Sequence, residues 1–244
     1  MAGRVDVYRI DIEAAAPAEV VLRGLLSADE LLRADRFHQQ RHRRQFVVTR
    51  GALRTLVARR LGRAAADLRF VDGPHGKPAL ADPPQVRLEF NVAHSHGLAL
   101  VALSVEHAVG VDVERIRPEV DLDGIADRFF APSERDQLAA IGPARRADAF
   151  FACWSRKEAV LKAVGTGISG GLTRYTVSCD PAGPARLLAV DRDGPPPEAW
   201  TLADVDVGCG FRAAVAVIAP AAEVFCHEWP DLADTPDRPD PSRP

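Results

Sequence analysis

Two short segments hold the residues best suited to chemistry: GVDVE at 110–114 and WSRKEAVLKAVGTG at 154–167. If the first segment is a strand, alternating side chains put Asp112 and Glu114 on one face while its valines point into the core. Two carboxylates that face one way suit Mg²⁺, which binds one or two carboxylates together with water and phosphate oxygens. Taken alone, however, such a pair is more often the solvated acidic face of an edge strand.

The second segment favours the metal interpretation. On a helix, Trp154, Glu158 and Lys162 recur every four residues and share one side with Leu161. The ordinary alternative is an exposed Glu–Lys pair, worth about 0.3–0.5 kcal/mol. Charges on the apolar side of a helix instead usually need a partner such as a metal or a phosphate. The two segments therefore predict three carboxylates and two lysines around one metal-bound phosphate, with Lys157, a step around the helix, as the second-rank lysine.

Two further segments contain groups that can bind an anion. The segment FNVAHSHG at 90–97 follows a predicted strand into a turn and supplies four polar side chains, Asn91, His94, Ser95 and His96. The turn GKP at 76–78 adds Lys77. Each has a structural alternative, because a loop histidine often bonds to backbone and a lysine on a tight turn is common at surfaces.

Composition describes an ordinary globular protein. Of the 244 residues, 47% are apolar and 27% charged, and this length accommodates two compact halves of about 110 residues each. The first twenty residues alternate charged and apolar types, unlike a signal peptide, and no stretch reaches the ~18 apolar residues of a membrane span. We therefore expect a cytoplasmic protein without a membrane partner. The four cysteines have neither disulfide-framework nor zinc-site spacing.

Charge is distributed unevenly along the chain. The net charge is −3, yet residues 33–63 include ten arginines and a single acid, Asp35. A local basic surface of this kind predicts an anionic partner. A nucleic-acid-binding module is the alternative, but the overall negative charge and the scarcity of aromatics in this stretch argue against it.

Hydrophobic periodicity predicts strands and two long helices. In the first part of the chain, strands are predicted at 5–12, 86–92 and 99–104, a helix after Ser27, and a long helix at 41–61 ending near Gly62. The later part repeats this order, with a strand at 109–116, a long helix at 147–164, and strands at 175–178, 185–190 and 211–218.

This order of elements predicts an α+β protein of two pseudo-symmetric halves, each a small, mostly antiparallel sheet packed against a long helix. The predicted halves are 1–108 and 109–229, and the second contains the carboxylates of GVDVE together with Glu158. The segment 230–244 is rich in proline and aspartate, and we expect it to be disordered. From composition alone, 128–149 is expected to be a mobile covering loop.

Five segments in order, HGKPAL, FNVAHS, VGVDVE, RFFAPSE and WSRKEAVLKAVGTGI, resemble the 4′-phosphopantetheinyl transferases. The similarity is to the larger monomeric kind, which is made of two similar halves and serves peptide and polyketide synthases. It covers roughly residues 25–220, and the GVDVE and W-x-x-KEA-x-x-K motifs are its specific parts. One departure is Ala93, where the family often has a serine whose hydroxyl contacts the nucleotide.

The resemblance implies transfer of phosphopantetheine from coenzyme A to a serine of a carrier protein, with release of 3′,5′-ADP. It implies that Asp112, Glu114 and Glu158 hold Mg²⁺, with Mn²⁺ as an alternative, and that Lys162 contacts the transferred phosphate. It further assigns Lys77 and His94, and more loosely Arg50, to the nucleotide end of coenzyme A. As proton acceptor we expect Glu158, with Asp112 or a metal-bound water as competitors.

The expected partners are apo acyl or peptidyl carrier proteins, which present an acidic helix after the modified serine. Arg115 and Arg117 follow GVDVE and are placed to meet that helix, although a pair of ordinary surface arginines is an equally good interpretation. The resemblance also implies a monomer, because one chain supplies both sides of the cleft. Among other enzymes, a Mg²⁺-dependent nucleotide pyrophosphohydrolase shares the carboxylates but normally has a denser run of glutamates on one helix.

Overall fold

The computed structural model describes residues 3–73, 76–82, 87–167, 171–191 and 194–229. Its helices are α1 Glu19–Gly24, α2 Ala28–Asp35, α3 Gln40–Leu61, α4 Leu122–Phe129, α5 Pro132–Ala140 and α6 Pro143–Val164. Its strands are β1 Arg4–Asp11, β2 Phe70–Asp72, β3 Pro78–Leu80, β4 Leu88–Ser95, β5 Leu98–Val105, β6 Val109–Arg115, β7 Tyr175–Val177, β8 Leu187–Val190, β9 Thr201–Asp204, β10 Phe211–Val217 and β11 Glu223–Glu228. The predicted tail at 230–244 lies outside the described residues, as does Val86 at the start of a predicted strand.

The two main sheets repeat one topology, which confirms the predicted α+β class. In the first sheet β1 pairs with β5 and β5 with β4; in the second, β6 pairs with β10 and β10 with β9. All four pairings are antiparallel. Each half thus pairs its first strand with its last one and places a long helix between them in the chain.

The C-terminal strand departs from this symmetry. β11 returns to the first sheet and pairs with β1 in parallel, from Arg4 opposite Glu223 to Arg9 opposite Glu228. The predicted half 109–229 therefore includes one strand that belongs structurally to the other half. Because strands adjacent in space need not be adjacent in sequence, local patterns carried no signal of this crossover.

The two long helices confirm the periodicity argument. Both α3 and α6 have 22 residues, and both end at a glycine in the left-handed region, Gly62 with φ 61° and Gly165 with φ 82°. That conformation is unfavourable for other residues but lets the chain turn away while the amide still caps the last turn. α6 begins at Pro143, earlier than predicted, because proline suits the first turn of a helix. Among the described residues, no helix is long and apolar enough to cross a membrane.

The core consists of three apolar clusters, which lie between four layers in the order helix, sheet, sheet, helix. Odd-numbered and even-numbered residues of β1 face different clusters, as strand alternation requires: Ile10 packs under α3, whereas Val5 and Val7 meet the second sheet. In β6, the three valines at 109, 111 and 113 fill the cluster between the sheets. The other face of β6 is thereby directed at α6.

Gly110 permits α6 to lie close to β6. A Cβ at this position would overlap the main chain of α6 at Ala159 and Ala163. On the neighbouring strand β10, the residues that pack in the cluster under α6 are Ala214 and Ala216. Small residues on the sheet therefore bring the backbone of α6 directly over the positions that follow Gly110 along the strand.

The segment 128–149 is not a covering loop. It contains the end of α4, all of α5 and the start of α6, and Phe130 between the first two helices is buried against Phe150. Local signals for α5 were present, since Pro132 occupies its first turn and the Glu134 side chain accepts a hydrogen bond from the Ala131 amide.

Candidate active site

The predicted carboxylates converge where β6 faces α6. Asp112 and Glu114 lie on the face of β6 turned toward the helix, and Glu158 and Lys162 project from α6. The Lys162 ammonium lies 2.6 Å from Asp112 Oδ1. Asp112 is only 5% exposed and Glu158 only 7%, so these charges are removed from most of the solvent.

Negative charge exceeds positive charge in this cluster. Burial, together with repulsion from Asp112 and Glu114, raises the pKa of Glu158 to about 7, although the Lys162 charge acts in the opposite direction. Burial and the Asp112 charge also raise the pKa of Glu114. A second cation, Arg117, lies 3.8 Å from Glu114 but is 39% exposed, so solvent weakens its effect. The cluster is therefore short of about two positive charges when every carboxyl is ionised.

Two oxygen atoms of the cluster are available to a cation. Asp112 Oδ2 and Glu158 Oε1 are buried and have no hydrogen-bond partner among the described residues. Buried polar atoms nearly always have partners, so two orphans on adjacent carboxylates indicate a ligand. Within the described ranges, no three acidic, histidine or cysteine side chains already form a metal-binding group. The donor set is all oxygen and bears excess negative charge, which fits a hard divalent cation once the side chains close on it.

β4 and β6 are edge strands of different sheets and meet side by side at the site. The Val111 amide donates to Asn91 Oδ1 at 2.9 Å, and the Arg115 amide donates to Ser95 Oγ at 3.2 Å. The predicted anion-binding turn at 90–97 is thus mostly strand, and Asn91 is buried in this seam. Hydrogen bonds to the side chains of Asn91 and Ser95 thus take the place of a backbone ladder between β4 and β6, and they fix β6 in position.

A cavity of about 300 Å³ opens in the first half, between α3 and the turn around Gly76. Its lining combines aromatic, basic and polar side chains: Arg33, Phe37, His42, Gln45, Phe46, Thr49, Arg50, Leu53, Gly76, Pro78, Val92 and His94. The Gln45 side-chain amide donates a hydrogen bond to His94 Nδ1 at 3.0 Å. Desolvation lowers the pKa of His94, and among the nearby charges Lys162 lowers it further while Asp112 raises it. His94 therefore marks the end of the cavity nearest the carboxylate cluster.

Arg50 lies in the wall of this cavity. Its side chain is 12% exposed, with Glu30 at 3.5 Å and the rings of Phe46 and Phe70 within 6 Å. Its Nη1 is buried and has no hydrogen-bond partner in the described part of the chain. An arginine with a spare buried donor beside a cavity is suited to an anionic group.

Lys77 points away from the cavity and toward the second half. Its ammonium donates to the carbonyl oxygens of Val109 and Lys162, both at 3.0 Å, and burial lowers its pKa. These bonds join the first half to the start of β6 and the last turn of α6. One of its three N–H groups is left for the predicted nucleotide contact, which stays a prediction.

Both halves of the chain match known family models. Residues 108–218 match the 4′-phosphopantetheinyl transferase superfamily, and residues 18–106 match the model described as 4′-phosphopantetheinyl transferase, N-terminal. The 4′-phosphopantetheinyl transferase HetI of Nostoc sp. is 35% identical over 218 residues, which is 89% of each chain. The chain belongs to the 4′-phosphopantetheinyl transferase superfamily. The resemblance stated from its motifs is confirmed.

Two Bacillus members of the superfamily are also similar. A 4′-phosphopantetheinyl transferase of Bacillus subtilis is 30% identical over 168 residues, covering 69% of this chain and 73% of the relative. The transferase Sfp of Bacillus subtilis strain 168 is 26% identical over 197 residues, covering 81% and 84%.

Within the motif WSRKE, Ser155 and Arg156 serve the fold. Ser155 Oγ donates to the Arg212 carbonyl at 3.1 Å. Arg156 is fully buried and pairs with Asp204 while donating to carbonyl oxygens near residues 178–183. These side chains leave α6 on sides other than that of Glu158, so proximity in sequence did not indicate a shared role.

Lys157 was predicted to contact phosphate, and the structure contradicts this. Its ammonium is fully buried and donates to both oxygens of Glu134, at 2.8 and 2.6 Å, and to the Tyr175 carbonyl. Glu134 also accepts from the amides of Ala131 and Val177. All three ammonium hydrogens are engaged, so Lys157 joins α5, α6 and β7 and is not available to a ligand.

Both arginines predicted to dock a partner lie beside the carboxylate cluster. Arg115 is exposed, and Arg117 lies over the ring of Phe151 at 5.8 Å. Trp154, half-buried and one turn from Phe151 on α6, packs edge-on against Phe129. Two cations and these aromatic residues therefore lie near the site.

Substituting the two lysines of α6 by methionine should separate their roles. Lys157→Met leaves Glu134 charged and buried, and we expect a loss of about 3–5 kcal/mol in the free energy of unfolding. Lys162→Met, the matched control on the same helix, should cost less stability at pH 6, because Lys162 is partly exposed and Glu158, with a pKa of about 7, is then largely protonated. Urea denaturation measures both; equal stability of the Lys157→Met variant and the wild type would contradict the assignment.

Glu158→Gln should stabilise the metal-free protein at alkaline pH. A pKa raised from 4.5 to about 7 means that the folded state prefers the protonated acid, so stability falls as pH rises from 4.5 through 7. We expect the glutamine variant to be about 1–3 kcal/mol more stable than wild type at pH 8 with EDTA, and the difference to vanish near pH 4.5. Denaturant titrations at both pH values test this. If the glutamine variant is no more stable than wild type at pH 8, the pKa of Glu158 is not raised in the folded protein.

Proposed function

We propose that the chain transfers the 4′-phosphopantetheine group of coenzyme A to a serine of an apo carrier protein and releases 3′,5′-ADP. The observation that carries this proposal is the cluster of three carboxylates and Lys162, short of positive charge and contiguous with a cavity in the first half. Family membership over both halves of the chain supports the same reaction.

Coenzyme A would lie across the two halves. Its nucleotide end suits the cavity, where Phe37 and Phe46 offer apolar surface for a base and Arg50 offers a free donor for a phosphate. His94 lies at the end of that cavity toward Lys162, and the remaining N–H of Lys77 is proposed to contact the nucleotide end as well. The diphosphate would then reach the carboxylate cluster, where the positive charge of Lys162 is available to the phosphate undergoing transfer.

Asp112, Glu114 and Glu158 would hold the divalent cation, Mg²⁺ or Mn²⁺. When bound, that ion neutralises charge on the diphosphate oxygens. Its fit to these residues rests on the two orphaned oxygens and on the excess negative charge.

The proton of the serine is assigned to Glu158. As the serine Oγ forms a bond to phosphorus, the bond from phosphorus to the 3′,5′-ADP oxygen breaks and the hydroxyl proton needs an acceptor. Without a cation, burial raises the pKa of Glu158 to about 7; a bound cation would lower this pKa and leave the carboxylate ionised, which is the form that a general base requires. Asp112, the competing residue, already accepts a hydrogen bond from Lys162 on Oδ1, so that oxygen is not available to the serine proton.

The alternative functions have less support. Several arginines of the basic stretch are paired: Arg44 lies within 3.1 Å of Glu13 and Glu19, and Arg54 within 2.7 Å of Glu30. Paired cations do not form the exposed stripe that nucleic-acid binding requires. A pyrophosphohydrolase would use the same carboxylates but would need no docking surface beside them.

A monomer is sufficient for this reaction. The cavity comes from the first half and the carboxylates from the second half of the same chain, and Asn91 and Ser95 hold the two together. Both sides of the proposed cleft are thus supplied without a second copy. Light scattering at working concentration tests this proposal, and a stable dimer would contradict it.

Incubation with coenzyme A, Mg²⁺ and an apo carrier protein tests the function. We expect intact-mass spectrometry to show the carrier gaining one phosphopantetheine group. Glu158→Gln should slow transfer at least about a hundredfold, the usual contribution of a general base, while retaining affinity for 3′,5′-ADP. Near-normal transfer by this variant would overturn the role of Glu158. Hydrolysis of coenzyme A in the absence of carrier, with no gain in carrier mass, would favour the pyrophosphohydrolase.

Docking of an acidic carrier helix on Arg115 and Arg117 is tested by charge reversal. Arg115→Glu is the cleaner variant because Arg117 also neighbours Glu114. We expect the carrier KM to rise on the order of tenfold at low salt, since such charges steer encounter, with kcat retained. Arg87→Glu, an exposed arginine at the opposite end of β4, is the control. An unchanged carrier KM for Arg115→Glu would refute this docking surface.

A further inference from the structure

Ser95 ends β4 at the point where the first half meets the carboxylate cluster. Its Oγ lies 3.3 Å from Glu114 Oε2, 3.2 Å from the Arg115 amide nitrogen and 3.2 Å from His96 Nδ1. The residue is buried. One hydroxyl of the first half thus contacts a carboxylate, an amide and an imidazole at once.

The hydrogen-bonding capacity of a hydroxyl gives these contacts a direction. A serine hydroxyl has one proton to donate and two lone pairs that accept. The Arg115 amide can only donate, and an ionised Glu114 can only accept. The serine proton is therefore directed at Glu114. The His96 tautomer that fits is the one with its hydrogen on Nδ1, which donates to the second lone pair of Ser95 Oγ. The result is a fixed relay from His96 through Ser95 to Glu114.

Backbone geometry holds the start of this relay. His96 has φ 45° and Gly97 has φ 85°, and they connect Ser95 to Leu98, which pair across the β4–β5 ladder. Two residues with positive φ in this position form the tight hairpin turn that matches the twist of the strands. Such a turn fixes the backbone of His96 next to Ser95, because the ladder holds it on both sides.

Glu114 has few other restraints. Across the sheet it lies opposite Arg212, but that guanidinium is bonded to Asp148 at 2.6 Å. Arg117 is 3.8 Å away, beyond hydrogen-bonding distance. Among the described residues, the Ser95 hydroxyl is the only hydrogen-bond donor to the Glu114 side chain.

We propose that Ser95 is a positioning residue: its hydroxyl holds Glu114 in the orientation in which this third carboxylate faces the cation site between β6 and α6. The proposal rests on the proposed function for the identity of the cation. It differs from the sequence-based expectation that the Ser95 side chain binds an anion. Partners of metal-binding carboxylates commonly set the orientation, and thereby the affinity, of the ligand they touch.

Titration calorimetry with Mg²⁺ alone, in the absence of coenzyme A and carrier, tests the proposal. We expect Ser95→Ala to weaken Mg²⁺ binding about tenfold while the affinity for 3′,5′-ADP, measured with EDTA, stays unchanged. Ser95→Thr keeps the hydroxyl and should restore Mg²⁺ affinity. Ser104→Ala is the matched control, because this buried strand serine donates to the Arg4 carbonyl far from the carboxylates; it should leave Mg²⁺ affinity unchanged.

Three results would overturn the proposal. One is equal Mg²⁺ affinity in Ser95→Ala and wild type, and another is a wild-type protein that binds no Mg²⁺. The third is a selective loss of 3′,5′-ADP affinity in Ser95→Ala, which would show that Ser95 contacts the ligand and does not position Glu114. Failure of the proposed function is distinguishable, because wild type would then bind Mg²⁺ in a Ser95-dependent manner and yet transfer nothing to a carrier.

Discussion

The structure depends on placing three carboxylates and one lysine in a partly buried site between β6 and α6, where Asp112 and Glu158 are almost fully removed from solvent. Burial makes each additional negative charge costly, and here it raises the pKa of Glu158 to about 7. Gly110 allows α6 to approach, the valines of β6 anchor the strand from behind, and Asn91 fixes its edge. The fold therefore maintains a charge arrangement that is unfavourable by itself and that a bound cation would relieve.

Other buried charges in the same helix show the contrast between structural and functional ion pairs. Lys157 has every donor matched by Glu134 and a carbonyl, and Arg156 is matched by Asp204 and neighbouring carbonyls. These residues are complete without a ligand, whereas the adjacent Glu158 has a buried oxygen with no partner among the described residues. Neighbouring residues of one motif thus have different roles: Arg156 and Lys157 stabilise the fold, whereas Glu158 has an oxygen available to a ligand.

Sequence reasoning predicted the parts that follow from local periodicity. The extent of α3, the C-terminal part of α6 and the alternation in β6 follow from spacings of two, three and four residues, and Gly62 indicated where α3 ends. The meeting of Asp112 with Lys162 was expected from the two charged motifs and the family resemblance. It failed where a long-range partner decides the outcome. The destination of Lys157 depended on Glu134 from another helix, and the place of β11 depended on a strand at the other end of the chain.

A crystal structure with Mg²⁺ and coenzyme A is the most direct test of this site. We expect one metal ion between β6 and α6, with oxygens of Asp112, Glu114 and Glu158 at about 2.0–2.1 Å or joined to it through water. We also expect the Lys162 ammonium to move from Asp112 toward the phosphate. A metal bound elsewhere, with Lys162 still paired to Asp112 and Glu158 Oε1 still without a partner, would contradict this expectation.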